Sequence, residues 1–394
     1  MGNYTRKPPM TANPIFSSLG TTIFEVMSRL ANEHGAVNLG QGFPEGLEPA
    51  FLVEAAARAM AEGPHQYPPM MGLPALRQAV AAHDKRFYGL DLDWQSEVMV
   101  TSGATEALAD CLLGLITPGD EVVVLEPFYD SYLPIIRRAG GGARIVRLNP
   151  PDWTLPREEL AAAFGPNTRL MILNSPMNPT GKLFDGDDLA FIADLLIKHD
   201  AVAICDEVYE HLTYGGKRHV PLMTLPGMRD RTLRIGSAGK TFSVTGWKVG
   251  YVTGAAELLL PVIRAHQFVT FTTPPALQRA VAEGLATGDD YYKTLTADLE
   301  RRRDFLARGL AEAGFEVLPC DGSYFLTADI GKLGFSDDAE FCRRLIVETG
   351  VAAIPVSAFY ENDPPRHFAR FCFAKLDETL EEAVRRLKAK KLVA

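Results

Sequence analysis

The stretch 237–251 reads SAGKTFSVTGWKVGY and carries the densest chemistry in the chain. Lys240 sits among small and apolar neighbours, directly after a short apolar run. Burial disfavours the charged form of an amine, and a deprotonated lysine attacks a carbonyl to form a Schiff base. A lone lysine is ordinarily a solvated surface group. Here Ser237, Lys248 and the glycines at 236, 239, 246 and 250 surround it, a set suited to a phosphate held beside an aldehyde. Upstream, AICDEVY (203–209) places Asp206 at the end of an apolar run. A buried carboxylate needs a charged partner, because leaving it unpaired is costly. A protonated pyridine nitrogen would serve; so would a helix cap or a structural ion pair.

Three further loops carry polar residues that a plain connection does not need. TSGATEAL (101–108) reads as a strand end, a small-residue turn and a helix start. Free N–H groups and the positive helix end attract phosphate there. EPFYDSY (126–132) offers aromatic faces that could stack on a flat ring or simply fill the core. NSPMNPTG (174–181) is turn-rich, and its Asn178 could donate to a phenolate oxygen or stabilise the turn.

The elements that must position these loops follow from the hydrophobic pattern. Strand candidates are Val98–Thr101, Glu121–Leu125, Arg144–Leu148, Leu170–Leu173, Ala201–Cys205, Thr232–Ile235 and Gly250–Gly254. Helical stretches such as Glu106–Leu115, Asp187–Lys198 and Pro261–Phe268 separate them. Short apolar strands alternating with helices predict an α/β fold, a mixed and mostly parallel sheet covered on both faces. Ligands in such sheets bind beyond the strands' carboxyl ends, where the polar loops fall. After about residue 285 the pattern changes to a long charged helix (Tyr291–Ala313), strands near Glu316–Leu318 and Tyr324–Ala328, and a helix near Asp338–Glu348. This predicts a large domain over 48–285 and a smaller α+β domain formed by 1–47 and 286–394.

The 394 residues exceed what one core usually supports, and 47% hydrophobic content is that of an ordinary globular enzyme. A net charge of −9 argues against a nucleic-acid partner or a polybasic membrane binder. Five scattered cysteines without a C-x-x-C pair argue against a disulfide framework or a structural zinc site. No signal-peptide pattern opens the sequence, and no apolar run reaches the ~20 residues of a membrane span, so a cytoplasmic location is expected.

Taken in order, NLGQGFP (38–44), QYPPMMGLPALR (66–77), EPFYDSY, NSPMNPTGK, CDEVYEHLTY, GSAGKTFSVTGWKVGY, GSYFL (322–326), VAAIPVSAFY (351–360) and RFCFAK (370–375) resemble the class I/II pyridoxal-phosphate aminotransferases of fold type I. The similarity extends to the kynurenine aminotransferase, glutamine transaminase K and cysteine-S-conjugate β-lyase group and to bacterial methionine aminotransferases. The resemblance implies that Lys240 holds pyridoxal 5′-phosphate as a Schiff base and then shuttles the substrate's α-proton. It implies Asp206 on the pyridinium nitrogen, Asn178 and Tyr209 on the phenolate oxygen, and Tyr129 on the ring face. Gly103, Ala104 and Thr105 of the phosphate loop, with Ser237 and Lys248, would hold the phosphate. Tyr67 would reach the cofactor of a partner subunit, making a homodimer with shared sites. Arg370 would grip the substrate α-carboxylate bidentately, with the Gly42 backbone and Asn178 beside it.

Three positions depart from the kynurenine pattern. Thr105 replaces a frequent tyrosine, Thr272 a histidine, and Phe24 a frequent tryptophan, whereas Phe271 keeps an aromatic. Phe24 and Phe271 make the expected side-chain pocket apolar. No motif-matched second arginine is present for a dicarboxylic substrate. The expected activity is therefore ping-pong transfer of the α-amino group of a neutral, large or aromatic L-amino acid (methionine, glutamine, leucine, phenylalanine or kynurenine-like) to a 2-oxo acid. Cysteine-conjugate β-elimination and aspartate-type specificity are the alternatives. A cofactor-binding regulator is disfavoured, since no helix-turn-helix module fits ahead of Gly40.

Overall fold

A computed structural model describes residues 13–390 and 392; the opening residues, on which the reading of the first segment rested, lie outside them. A seven-stranded sheet is built from β1 (Val98–Thr101), β2 (Glu121–Glu126), β3 (Gly142–Arg147), β4 (Thr168–Asn174), β5 (Val202–Asp206), β6 (Thr232–Ser237) and β7 (Gly250–Thr253). Their spatial order is β1-β7-β6-β5-β4-β2-β3. Only β7 runs against its neighbours, pairing antiparallel with β1 and β6. The other pairings are parallel. Strands β1, β5, β6 and β7 are buried along their whole length, because helices cover both faces. This is the mixed, mostly parallel sheet that the apolar runs predict.

Register decides which loops meet. Asn174 of β4 pairs with Asp206 of β5, and Ser237 of β6 pairs with Gly250 of β7. The carboxyl ends of β1, β4, β5 and β6 therefore open on one edge. The helix Ala104–Leu115 starts there, straight after β1.

The chain's last third forms a four-stranded antiparallel sheet from β8 (Glu316–Val317), β9 (Phe325–Asp329), β10 (Ile354–Pro355) and β11 (Phe368–Cys372), ordered β10-β11-β9-β8. Arg370 lies mid-strand on β11, opposite Thr327 of β9 and Ile354 of β10. A two-residue parallel pairing joins Val37–Asn38 to Val351–Ala352, which fastens the N-terminal segment to this sheet. One apolar core runs from Leu108, Ile204 and Tyr209 of the large sheet's side to Leu306, Phe371 and Leu380.

The expected helices are present with shifted ends. The helix predicted from Pro261 starts at Ala256 and carries Pro261 inside it. The start lies five residues earlier than expected. Among the described residues no helix is long and apolar enough to cross a membrane.

Candidate active site

A cavity of about 290 Å³ lies over the carboxyl ends of β4, β5 and β6 and is closed by β11 and the segment around Gly42. Lys240 reaches it from a single helical turn, Ala238–Thr241, immediately after β6. Its Nζ donates to the Tyr324 hydroxyl at 2.8 Å. Burial pulls the amine down to about 8, against the opposing pull of Asp206. The share of neutral nucleophile at neutral pH is thus far above that of a solvated lysine, although the ammonium still predominates.

Asp206 ends β5 and lines the same cavity. Its Oδ2 accepts from the Tyr132 hydroxyl at 2.7 Å, and its buried Oδ1 has no hydrogen-bond partner. Among the described residues no cation lies within ion-pair distance of it, and no helix follows it, so neither structural alternative for this carboxylate applies. Burial pushes its pKa up, while the Tyr132 hydroxyl and the Val208 N–H pull it down.

On the other side, Gly103 (φ +84°), Ala104 and Thr105 begin the helix after β1. The first amides of a helix have no intrahelical acceptor and face outward. Lys248, itself left-handed at φ +53°, lies so close that a Cβ on Gly103 would be 3.2 Å from its Nζ. Ser237 completes the group. On β7, a Cβ on Gly250 would fall 2.8 Å from the Gly103 carbonyl carbon, so only glycine lets the turn sit against the strand.

Arg370 is 1% exposed, and its guanidinium has no carboxylate within ion-pair distance among the described residues. Its Nη1 donates to Asn178 Oδ1 and its Nη2 to the Gly40 carbonyl, both at 2.8 Å, and Nε is unpartnered. Burial holds it down to about 10. Phe325 stacks 3.9 Å beneath it and Phe24 lies 5.2 Å away. Asn178 is oriented through its own N–H, which donates to Asn174 Oδ1; Asn174 Nδ2 in turn donates to the Asp206 carbonyl. With Oδ1 occupied by Arg370, the Asn178 amide NH₂ remains for a ligand.

Of the residues singled out from sequence, Gly42, Gly103, Ala104, Thr105, Tyr129, Asn178, Asp206, Tyr209, Ser237, Lys240, Lys248, Arg370 and Phe24 all line this cavity. Tyr67 and Phe271 do not. Their rings meet edge to face at 5.6 Å on the surface, and Tyr67 is 83% exposed. Sequence reasoning passed over Tyr132, Tyr324 and Asn174. Each lies within a quoted motif, but nothing in a linear pattern tells which aromatic of EPFYDSY or GSYFL turns toward the site.

The sheet, the lysine on its edge and the anion cradle together define a class. The chain belongs to the aminotransferase class I and II family, whose model matches residues 34–387. It is a pyridoxal-phosphate-dependent transaminase. The solved N-succinyldiaminopimelate aminotransferase of Mycobacterium tuberculosis is 46% identical, with a TM-score of 0.94 over 96% of this chain and 100% of that one. Escherichia coli methionine aminotransferase is 41% identical over 96% of this chain and 100% of its own length. Mouse kynurenine–oxoglutarate transaminase 3 is 39% identical over 93% and 87% respectively.

The residues present fit that cofactor. The orphaned Asp206 Oδ1 suits a protonated ring nitrogen, the desolvated Lys240 amine suits an aldehyde, and the helix start with Ser237 and Lys248 suits a phosphate.

Proposed function

We propose that this cavity transfers the α-amino group of a neutral, large or aromatic L-amino acid (methionine, glutamine, leucine, phenylalanine or kynurenine-like) to a 2-oxo acid. When bound, pyridoxal 5′-phosphate supplies an aldehyde that accepts the amino group and a protonated ring that draws electrons from the α-carbon. Lys240 would hold the cofactor, and its Nζ would move the α-proton. Asp206 Oδ1 holds the proton on the ring nitrogen, helped by Tyr132 on Oδ2. The Asn178 NH₂ and Tyr209 orient the ring oxygen, and Tyr129 covers the ring. The Gly103–Thr105 turn, Ser237 and Lys248 hold the phosphate. Arg370 takes the substrate carboxylate, with Gly42 beside it, which aims the α-hydrogen at Lys240.

The observation that carries this reading is the buried guanidinium of Arg370 without a carboxylate, across one cavity from a desolvated lysine. A neutral substrate side chain is supported by the same lining. Among the described residues of one chain its charged groups are Asp206, Lys240, Lys248 and Arg370, each already given a role, so the chain offers its own cavity no further cation for a second substrate carboxylate.

The active unit is a homodimer in which Tyr67 and Phe271, exposed on one chain, complete the partner's site. Residues 48–285 form the cofactor-binding unit, 1–47 with 286–394 the smaller one, and the enzyme is cytoplasmic.

The test is the visible absorbance of the holoenzyme as single amino acids are added without an oxo acid. Loss of the cofactor band with methionine, glutamine or phenylalanine, and little change with aspartate, is the expected result. The panel includes N-succinyl-diaminopimelate, because of the mycobacterial relative, and a cysteine conjugate. Pyruvate and ammonia from that conjugate would reveal β-elimination. A protein without any band after pyridoxal phosphate is supplied would overturn the assignment of Lys240.

A further inference from the structure

Tyr324 stands behind the catalytic lysine and outside the cavity lining. It is completely buried, and its ring is wedged 4.7 Å from Phe325 and 5.1 Å from Tyr209. Its backbone is pinned on both sides. The Phe373 N–H donates to its carbonyl, and Ser323, at φ +63°, donates its N–H to the Leu212 carbonyl. The side chain is thus a fixed post beside a flexible one.

The hydroxyl on that post bridges the lysine and the Gly42 segment. A phenol has one donor and room for two acceptances. The Tyr324 hydroxyl donates to the Gly42 carbonyl at 2.8 Å and accepts from Lys240 Nζ at 2.8 Å. Gly42 belongs to the segment that meets the substrate-carboxylate arginine: a Cβ there would lie 3.9 Å from Arg370 Nη2, and the Gly40 carbonyl already accepts from Nη2.

We propose that Tyr324 is a positioning residue that holds the Lys240 amine, while it is not joined to the cofactor, at the point from which it moves the α-proton. Through Gly42 the same hydroxyl couples that point to the segment that receives the substrate carboxylate. The inference rests on the reading of Lys240 and Arg370 given above. Without the hydroxyl, a four-carbon side chain swings freely in the cavity, and a misplacement of about 1 Å can cost ~100-fold in rate.

Tyr324→Phe keeps the ring and removes the bond. In single-turnover half-reactions with α-protonated and α-deuterated amino acid, the limiting rate should fall about 10- to 100-fold. The apparent Kd should stay within about threefold and the deuterium effect should grow, as proton transfer becomes slower than the steps around it. A second readout needs no turnover: the pH dependence of recombination of the apoprotein with pyridoxal phosphate. An ammonium that loses its acceptor is easier to deprotonate, so the midpoint should move about one pH unit toward acid. Recombination at pH 7 then becomes faster in a variant whose proton transfer is slower, a pairing that loosened packing does not produce. If the phenylalanine variant does not fold, Tyr324→Met provides the same two readouts. A wild-type deuterium effect with an unshifted midpoint overturns the inference alone, provided borohydride still traps the cofactor on Lys240 of the wild-type protein. Failure of that trapping overturns the reading of the site as well.

Discussion

Arg370 illustrates how a single residue decides between structure and function. A buried guanidinium is ordinarily paired with a carboxylate, and removing one member of such a pair leaves an uncompensated charge. Here its bonds go to an amide oxygen and a carbonyl, with three aromatic rings close by, so charge compensation is left to a ligand. Arg370→Ala should therefore lower kcat/KM by about 100- to 1000-fold, the loss of a bidentate charge-assisted contact. Cofactor retention, read from the absorbance band, should be unchanged, since Arg370 does not touch the proposed phosphate cradle. A kcat/KM equal to wild type would remove Arg370 from the site.

At the scale of elements, the helix Ala104–Leu115 does two things at once. Its amino end offers amides to the cavity, and its next turn supports the end of the helix Ala256–Val269. His266 donates from Nδ1 to Glu106 at 2.7 Å, with Asp110 at 3.3 Å, and from Nε2 to the Met70 carbonyl at 3.1 Å. With an acceptor at each nitrogen, the ring is held as an imidazolium. Although burial works against the charge, the two carboxylates raise His266 to about 9 from 6.5. The folded state thus binds this proton more tightly than the unfolded chain. The stabilisation is complete below about pH 6.5 and disappears as pH rises through about 9. Asp110, pushed up to about 6 by burial, acts in the same sense, but its contribution is lost between about pH 3.8 and 6, below that window. His266→Gln should lower Tm by roughly 5 °C at pH 6.5, and the difference should vanish near pH 10. Glu106 also accepts the Ser102 N–H at the turn itself, so this pair steadies the proposed phosphate loop. The strand β7 presses on that loop from the other side. Gly250→Ala should push Gly103 and Ala104 away and weaken cofactor binding by about tenfold or more, measured by equilibrium dialysis, with a smaller effect on Tm.

For the whole molecule, the exposed apolar side chains near the loop 267–271 matter most. Phe268 is 84% exposed and Val269 half-exposed, close in sequence to Phe271, whose ring meets that of the 83% exposed Tyr67. Exposed large apolar side chains gathered in this way suit an interaction surface. In the proposed homodimer it is buried, and sedimentation should give twice the 43.1 kDa of one chain. Mixing inactive Tyr67→Ala and Lys240→Ala chains should regain a measurable part of wild-type activity. A mixed dimer then has one site with both residues intact. No regain from a proven mixed dimer would place each site within one chain.

Much of this was legible beforehand because it depends on local order. The apolar runs became strands within a residue or two, since strands buried on both faces need continuous Val, Ile, Leu and Ala regardless of partners. Lys240, Asp206 and the 103–105 turn were recognisable because each follows a strand and carries a residue type that a plain loop does not require. What stayed hidden depends on distance across the chain. Nothing near Arg234 in sequence announces that Asp84, Glu207 and Glu210 surround it at 2.5–3.1 Å inside the core. The unpaired state of Arg370, the bond from Tyr132 to Asp206 and the post formed by Tyr324 are equally invisible. By itself the sequence determined the strands, the loops and the residue types available for chemistry, since these follow from periodicity and side-chain character. Only the tertiary structure decided which buried polar atoms find partners and which are left facing the cavity. That choice is made by the register of β4 on β5 and by the docking of β11 over the sheet edge, contacts between residues as many as 330 positions apart.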